Sequence, residues 1–426
     1  MPYTRRVVDN TLDRMMLGLA AVSIDGAKGV GKTETAKQRA ATVLDMSILE
    51  RHAAVMANPD LIVQVPEPVF IDEWQLAETV WNRVKHAVDD DDSPGRFLLA
   101  GSATVRPESR IHTGAGRIVS LRLRPMALAE RGICTPTVSL RELLDGHSDA
   151  ISGISTMTVP DYVDEILASG FPGIRRLPGQ DFRDDQLRSY LDLLLNREMQ
   201  QAGINVRKPA ALHAWMTAYA AATASAARYT TIRDAATSSD ADPIARNTAD
   251  AYRDHLTRVF ILDPLPAWIS PFNPLKRLSQ APKHHLADPA LAANLMGVSK
   301  GALLIGEGQR ISPHTGTWLG ALFESLATLC VRVYADAARA RTGHMIIADG
   351  RSSREVDIIV EGSDRRVVAC EVKLSSSVSD NDVRHLNWLH QQIGDRLADK
   401  IVLNTGDIAY RRRDGVAVIP LALLGP

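Results

Sequence analysis

The segment that most constrains the fold is "AVSIDGAKGVGKTETAKQRA", residues 21–40. Ala21–Asp25 is apolar and short, as in a buried strand, and the residues after Thr33 have helical propensity. Between them lies the pattern G-x-x-x-x-G-K-T. A strand, a glycine-rich turn and a helix in this order predict an α/β fold with a parallel sheet. In such a loop the backbone amides and the helix N-terminus face a phosphate group.

This loop predicts a site for a nucleoside triphosphate with Mg²⁺. Lys32 is expected to reach the β- and γ-phosphates, and the Thr33 hydroxyl to hold Mg²⁺. The alternative interpretation is a glycine-rich turn that binds no ligand. The predicted nucleotide-binding residues are Gly26, Ala27, Lys28, Gly29, Val30, Gly31, Lys32, Thr33 and Thr35.

A second acidic motif is expected to complete this site. Residues 69–71 form an apolar strand that ends in Asp72 and Glu73. Asp72 is predicted to orient a Mg²⁺-bound water, and Glu73 to polarise the attacking water as a general base. Taken alone, the same residues are more typical of a core strand followed by a helix cap. Their combination with the glycine-rich loop favours a hydrolytic site.

Three further residues are candidates for contact with the phosphates. Ser102 ends the strand in "RFLLAGSATVR", where it either touches the γ-phosphate or caps the strand. Arg110 and Arg117 flank a glycine-rich turn. Either is a candidate for stabilising transition-state charge, from the same chain or from a neighbour, and the alternative is an arginine exposed at the surface. The predicted catalytic residues are Glu73, Lys32, Ser102 and Arg117.

Composition excludes several classes of protein. A content of 45% hydrophobic and 23% charged residues is that of a globular protein, and a net charge of -1 gives no general attraction to nucleic acid or anionic membrane. The three cysteines are far apart in the sequence, which argues against a zinc site. The same spacing is typical of a protein from a reducing compartment. No apolar run approaches the length of a membrane span and no signal peptide is recognised, so we expect a cytoplasmic protein without membrane contact.

Motifs along most of the chain resemble a known family. "GAKGVGKTETA", "VFIDEWQLA", "FLLAGSAT" and "HTGAGRIVSLRLRPMALAERG" in the first part, and "APKHHLADPALAANLMG", "GALFESLA", "EVDIIV" and "ACEVKLSSSV" in the second, resemble bacterial and archaeal P-loop ATPases paired with DUF4143, a domain of unknown function. Ala27 departs from the proline expected in the loop. The resemblance implies ATP and Mg²⁺ as cofactors, an AAA-type ATPase core, a winged-helix-like middle and a C-terminal domain similar to the PD-(D/E)xK nuclease fold.

These features predict four domains. They are a P-loop ATPase core over residues 1–150, a helical lid over 151–204, a winged-helix-like domain over 205–265 and a DUF4143 domain over 266–426. In the third, Asp250 and Asp254 lie on one helix with Arg253, and bases and acids are nearly balanced. This balance favours packing or a protein partner over DNA, although DNA contact stays open. His284, His285 and Asp288 are not expected to bind a metal, because adjacent residues of a strand point to opposite sides.

The segment "REVDIIVEGSDRRVVACEVKLSSS", residues 354–377, predicts a β-hairpin with Asp357 at the start of its first strand. Glu371 and Lys373 share one face of the second strand. Two carboxylates there could hold Mg²⁺ and Lys373 could stabilise phosphate charge. The PD-(D/E)xK resemblance adds Glu324, on a preceding helix. The alternative is a scaffold in which Glu371 and Lys373 form an ion pair.

Two functions therefore follow from the sequence. The first is a Mg²⁺-dependent ATPase whose nucleotide state switches the C-terminal domain and the binding of an unknown protein partner. The second is an ATP-regulated, metal-dependent nuclease acting on DNA or RNA, in genome defence. The two functions are compatible, and nucleic acid stays open as a second class of partner.

Overall fold

The computed structural model describes residues 3–101, 116–147, 151–195, 209–237, 244–268, 281–308, 313–349 and 352–426. These residues form two compact units. The first unit comprises Met1–Arg124 and Leu256–Ile261, and the second comprises Pro125–His255 and Leu262–Pro426. The division into four domains stays a prediction.

The first unit contains a five-stranded sheet with the order β2-β3-β4-β1-β5, in which every pair is parallel. The strands are β1 (Ala21–Asp25), β2 (Thr42–Asp45), β3 (Val69–Asp72), β4 (Phe97–Gly101) and β5 (Ile118–Arg122). The α/β fold with a parallel sheet, predicted from the glycine-rich loop, is therefore confirmed. Because all five strands run the same way, their carboxyl ends meet at one edge of the sheet.

Apolar periodicity explains how the helices cover this sheet. Helix Glu78–Asp90 buries an apolar stripe at Val80, Trp81, Val84, Ala87 and Val88. The Trp81 ring packs against that of Trp74, with their centroids 4.5 Å apart. The helices of this unit are Val7–Met16, Lys32–Lys37, Leu49–Ala57, Leu61–Gln64 and Glu78–Asp90.

Helices dominate the chain between its two sheets. They are Leu140–Asp145, Val159–Leu167, Pro172–Arg175, Gln180–Leu193, Pro209–Ala221, Tyr229–Ala235, Arg246–Arg258, Pro289–Leu295, Lys300–Gly308 and Pro313–Ala337. Within the last of these, Trp318–Ala337 is the stretch, among the residues described, that is long and apolar enough to cross a membrane. Since 67% of it is buried inside the protein, it fits the central helix of a packed domain equally well.

The second unit contains a seven-stranded mixed sheet with the order β7-β12-β13-β11-β10-β9-β8. A short parallel pair joins β6 (Val138–Ser139) to β14 (Leu424–Gly425). The strands of the large sheet are β7 (Gly153–Ile154), β8 (Arg341–Asp349), β9 (Ser352–Glu361), β10 (Val367–Val372), β11 (Leu397–Asn404), β12 (Ile408–Arg411) and β13 (Ala417–Pro420).

The predicted hairpin is formed by β9 and β10, which pair antiparallel. After β10, helix Asp380–Ile393 leads to β11, which lies parallel to β10. Asp357 does not begin its strand as predicted, because β9 starts at Ser352 and Asp357 lies in its middle. The sequence did not indicate the first half of β9, because Arg354 and Glu355 are charged and the apolar run begins only after them.

Candidate functional site

The glycine-rich loop follows β1 at the carboxyl edge of the parallel sheet. Gly26 allows a close approach of two backbone segments there, because a Cβ atom at this position would lie 2.3 Å from the carbonyl oxygen of Leu123. Gly29 and Gly31 have φ angles of 83° and 106°, which side chains rarely allow. The glycines are therefore required by the shape of the loop, and helix Lys32–Lys37 begins directly after it.

The Lys32 ammonium is folded back onto this loop. Its Nζ donates to the carbonyl oxygens of Gly26 and Ala27, at 2.7 and 3.0 Å. Burial lowers the pKa of Lys32 to about 8, although the charges of Glu73 and Asp72 oppose the decrease. The structure thus keeps a buried cation whose hydrogen bonds go to neutral acceptors in a loop shaped for anions.

Thr33 and Asp72 meet at this edge, as the sequence predicted. The Thr33 hydroxyl donates to Asp72 Oδ2 at 2.8 Å, and Asp72 Oδ1 accepts from the Glu73 backbone N–H at 3.1 Å. Burial raises the pKa of Asp72, and the hydrogen bond from Thr33 acts in the opposite direction. A hydroxyl and a carboxylate side by side are oxygen ligands of the kind that Mg²⁺ prefers.

Glu73 has an unusual backbone conformation directly after β3. Its φ and ψ angles of 51° and 41° are left-handed, which is uncommon for a residue with a side chain. The Gln75 amide donates to the Glu73 carboxylate. Such strain costs about 1–3 kcal/mol and is concentrated at functional sites. The charge of Glu73 acts on Lys32, so the Glu73 side chain lies near the loop.

Two residues near the N-terminus support the loop, and the sequence reasoning missed both. Arg6 is buried, and its guanidinium donates to the carbonyls of Val30 and Arg124, at 2.9 and 2.8 Å. The Tyr3 hydroxyl lies 3.1 Å from that of Thr35, which is itself buried. Thr35, a predicted nucleotide contact, therefore has its hydroxyl within hydrogen-bonding distance of Tyr3.

Of the two arginine candidates, Arg117 is placed in line with the alternative interpretation, an arginine exposed at the surface. Arg117 precedes β5, whose first residue lies beside Ala21, about 15 Å along the strands from the loop, and it pairs with Asp89 at 2.7 Å. The structure does not bring Arg117 to the loop of its own chain. Arg122 instead lies beside Asp25 at the carboxyl edge, and its guanidinium stacks 3.8 Å from the Phe260 ring centroid. Ser102 and Arg110 lie outside the described residues.

The second predicted group, in the C-terminal sheet, does come together. Lys373 Nζ donates to Glu371 Oε1 at 2.8 Å, and Asp357 Oδ2 accepts from the Val372 backbone N–H at 2.9 Å. Glu324 lies close enough to Asp357 for one ammonium group to bind both carboxylates. That ammonium belongs to Lys283, which the sequence reasoning did not single out.

The residues after Lys283 have structural contacts. The His284 ring meets the edges of Tyr219 and Tyr229, at 5.0 and 4.9 Å between centroids. His285 Nδ1 lies 3.2 Å from the Ser325 hydroxyl. Asp288 caps helix Pro289–Leu295 by accepting from the Ala290 backbone N–H. The two adjacent histidines therefore have different neighbours, and the absence of a metal there stays a prediction.

Comparisons with known proteins support the predicted domains at both ends of the chain. Residues 20–131 match the model of an AAA domain, and residues 319–424 match DUF4143, a domain of unknown function. Residues 159–302 match another domain of unknown function, DUF8612, which the sequence reasoning did not name. The chain therefore carries an AAA domain followed by a DUF4143 domain, as the motifs indicated.

No curated protein matches the chain. Among solved structures, the Walker-type ATPase PABY2304 of Pyrococcus abyssi is similar at 14% identity and a TM-score of 0.40. The similarity covers 69% of this chain and 98% of that chain. The AAA domain match supports ATP binding at the loop that begins at Gly26.

Proposed function

We propose that this AAA-domain protein is a Mg²⁺-dependent ATPase. The observation that carries the proposal is the contact between Thr33 and Asp72, 2.8 Å apart, beside a loop that holds the Lys32 ammonium on two carbonyls. The two side-chain oxygens fit the ligand preference of Mg²⁺, and the loop fits a polyphosphate. Thr33 and Asp72 would hold the metal, which would neutralise charge on the β- and γ-phosphates when bound.

Other side chains in and near this loop have separate roles in the proposed reaction. Lys32 exchanges the carbonyls of Gly26 and Ala27 for phosphate oxygens, which satisfy its charge better. Glu73, oriented by its left-handed backbone and by Gln75, accepts a proton from the attacking water. Arg122 lies beside Asp25 at the carboxyl edge by strand register, and Arg117 keeps a role only if a neighbouring molecule contributes it.

Nucleotide titration with a matched pair of lysine variants tests this proposal. Lys32→Ala is expected to weaken MgATP binding by about 100-fold, because a charge-assisted contact to phosphate is lost. Lys37→Ala removes a half-exposed lysine from the same helix, paired with Glu34, and is expected to bind normally. Calorimetry measures both. Wild-type affinity in folded Lys32→Ala would refute the assignment of the site.

We further propose that the nucleotide state switches a protein interaction of the remainder of the chain. Among the described middle helices, Arg233, Arg246 and Arg253 each pair with a neighbouring aspartate, which supports a protein partner over DNA. Arg253 donates to both Asp250 and Asp254 and stacks on the Tyr229 ring. Hydrogen exchange of residues 313–426, compared with and without MgATP, tests the switch. Equal exchange in wild type and Lys32→Ala at saturating MgATP would contradict it.

The winged-helix-like middle and the PD-(D/E)xK-like C-terminal domain stay proposals. Helix Pro313–Ala337, the run β8-β9-β10, helix Asp380–Ile393 and the parallel β11 support the second of them. We do not propose cleavage, because no contact in the carboxylate cluster favours it. Plasmid nicking with Mg²⁺ or Mn²⁺ that disappears in Lys373→Ala would establish the nuclease alternative. A cytoplasmic location is also proposed, supported by three cysteines that are all free.

A further inference from the structure

The carboxylate cluster of the C-terminal sheet surrounds one lysine ammonium. Lys283 Nζ lies 2.8 Å from Glu324 Oε1, 2.7 Å from Glu355 Oε1 and 2.8 Å from Asp357 Oδ1. Lys283 Nζ donates hydrogen bonds to Glu324 Oε1 and Asp357 Oδ1, and it forms an ion pair with Glu355 Oε1. The Lys283 side chain is 1% exposed. The cation is thus buried and held by carboxylates.

The surrounding backbone fixes Lys283 in this position. Its N–H donates to the carbonyl oxygen of Leu265 at 3.0 Å, and its own carbonyl accepts from the Leu265 N–H at 2.9 Å. The three carboxylates come from two elements, since Glu324 lies on helix Pro313–Ala337 and the other two on β9. One ammonium therefore connects a helix, a strand and the segment before Pro289.

Two of these carboxylates, those of Asp357 and Glu324, belong to the set expected to hold a divalent metal in a PD-(D/E)xK-like site. A metal bound by Asp357 and Glu324 would need the space that Lys283 Nζ fills, because both oxygens are 2.8 Å from that nitrogen. Among the residues described, no group of three His, Cys, Asp or Glu residues is arranged to hold a metal ion. The cluster as it stands does not fit the metal that the fold resemblance implies.

Charge balance agrees with this geometry. Burial lowers the pKa of Lys283, but the charges of Asp357, Glu324 and Glu355 outweigh it and hold that pKa well above its usual value. Burial raises the pKa of Asp357, but Lys283 outweighs it and holds the pKa below its usual value. Glu371 Oε2 is buried and has no partner among the described residues, which leaves one carboxylate oxygen facing this region unsatisfied.

We infer that Lys283 is a built-in cation that takes the place of a divalent metal in the cluster of Glu324, Glu355 and Asp357. The C-terminal domain of the natural chain accordingly binds no divalent metal at this position. Removing the ammonium group frees three carboxylates, with Glu371 beside them, and creates a metal site.

Binding of Mn²⁺ to the full chain, without nucleotide, tests this inference independently of the ATPase proposal. Wild type is expected to show no Mn²⁺ binding that depends on Asp357, so that wild type and Asp357→Asn give the same titration. Lys283→Met is expected to bind Mn²⁺ about tenfold more tightly than wild type, and Mn²⁺ should raise its Tm by about 3 °C or more relative to EDTA. The double variant Lys283→Met, Asp357→Asn should lose both effects.

Two results would overturn the inference. One is Mn²⁺ binding by wild type that Asp357→Asn abolishes, since a metal would then already share the cluster. The other is folded Lys283→Met that responds to Mn²⁺ no more than the double variant does. If Lys283→Met does not fold in EDTA but refolds with Mn²⁺, the result supports the inference. If it folds in neither condition, the comparison of wild type with Asp357→Asn decides whether the inference holds.

Discussion

Two buried lysines, one in each unit, show how the same ammonium group can have either neutral or anionic partners. Lys32 donates to two neutral carbonyls and its pKa is lowered to about 8, mainly by burial. Lys283 is bound by three carboxylates and its pKa is held well above the usual value. The contacts of Lys32 leave its positive charge without an anionic partner on the loop, as a phosphate-binding group requires. The positive charge of Lys283 is already paired with acidic side chains.

The free energy of unfolding should separate the two lysines most strongly. Lys283→Met, measured in EDTA, is expected to cost about 3–5 kcal/mol, because it leaves buried carboxylates without a counter-ion. Lys32→Met should change stability by about 1 kcal/mol or less, since the folded state disfavours its charge. Chemical denaturation monitored in each unit measures both. An equal loss of unfolding free energy in the two variants would contradict the proposed difference between Lys32 and Lys283.

Hydrolysis should depend on the acid beside Lys32 and not on the acids around Lys283. Glu73→Gln is expected to lower kcat about 10²- to 10⁴-fold while MgATP binding is retained, because an amide cannot act as a general base. Glu78→Gln, at an exposed position in the next helix, is the matched control. Steady-state phosphate release measures the effect. Unchanged kcat in Glu73→Gln would remove this residue from the proposed mechanism.

The pH dependence of stability should reveal the C-terminal cluster. Burial, followed by the charge of Asp357, raises the pKa of both Glu324 and Glu371 to about 8, from a usual value of 4.5. Between pH 4.5 and 8 the folded chain therefore holds more protons than the unfolded chain, and stability falls as pH rises. Each carboxyl contributes at most about 1.4 kcal/mol per pH unit.

Glu371→Gln is expected to flatten this slope, whereas Glu142→Gln, at an exposed position in the same unit, should leave it unchanged. Urea unfolding at several pH values between pH 5 and 8 compares the variants. A slope in Glu371→Gln equal to that of wild type would show that this carboxyl does not take up its proton on folding.

The smallest expected effect is a proton taken up when nucleotide binds. Because the pKa of Lys32 is about 8, roughly half of this group is neutral at pH 8. Phosphate contact favours the ammonium form, so MgATP binding at pH 8 should take up about 0.5 proton. Calorimetry in two buffers of different ionisation enthalpy measures this uptake. Lys32→Arg stays charged and should show none, while buffer-independent heats in wild type would contradict the prediction.

Local sequence was sufficient where a site is built from neighbouring residues or from the shared edge of a sheet. The strand, loop and helix around Lys32 are contiguous, and Asp72 and Glu73 follow a strand whose parallel direction brings them to the same edge. The hairpin of β9 and β10 was likewise predictable from its apolar runs. The position of Arg117 was not predictable, because the direction of β5 decides which of its ends lies near the loop.

The amino-acid sequence alone determined the loop, the pairing of Thr33 with Asp72 beside it and the identity of both end domains, because each is encoded within a short segment. Only the tertiary structure decided the state of the C-terminal cluster, since Lys283 meets an acid 74 residues away. In the sequence Lys283 is one lysine before two histidines. In the fold its ammonium contacts the side chains of Glu324, Glu355 and Asp357, because a buried charge has lost water as a partner and needs an opposite one.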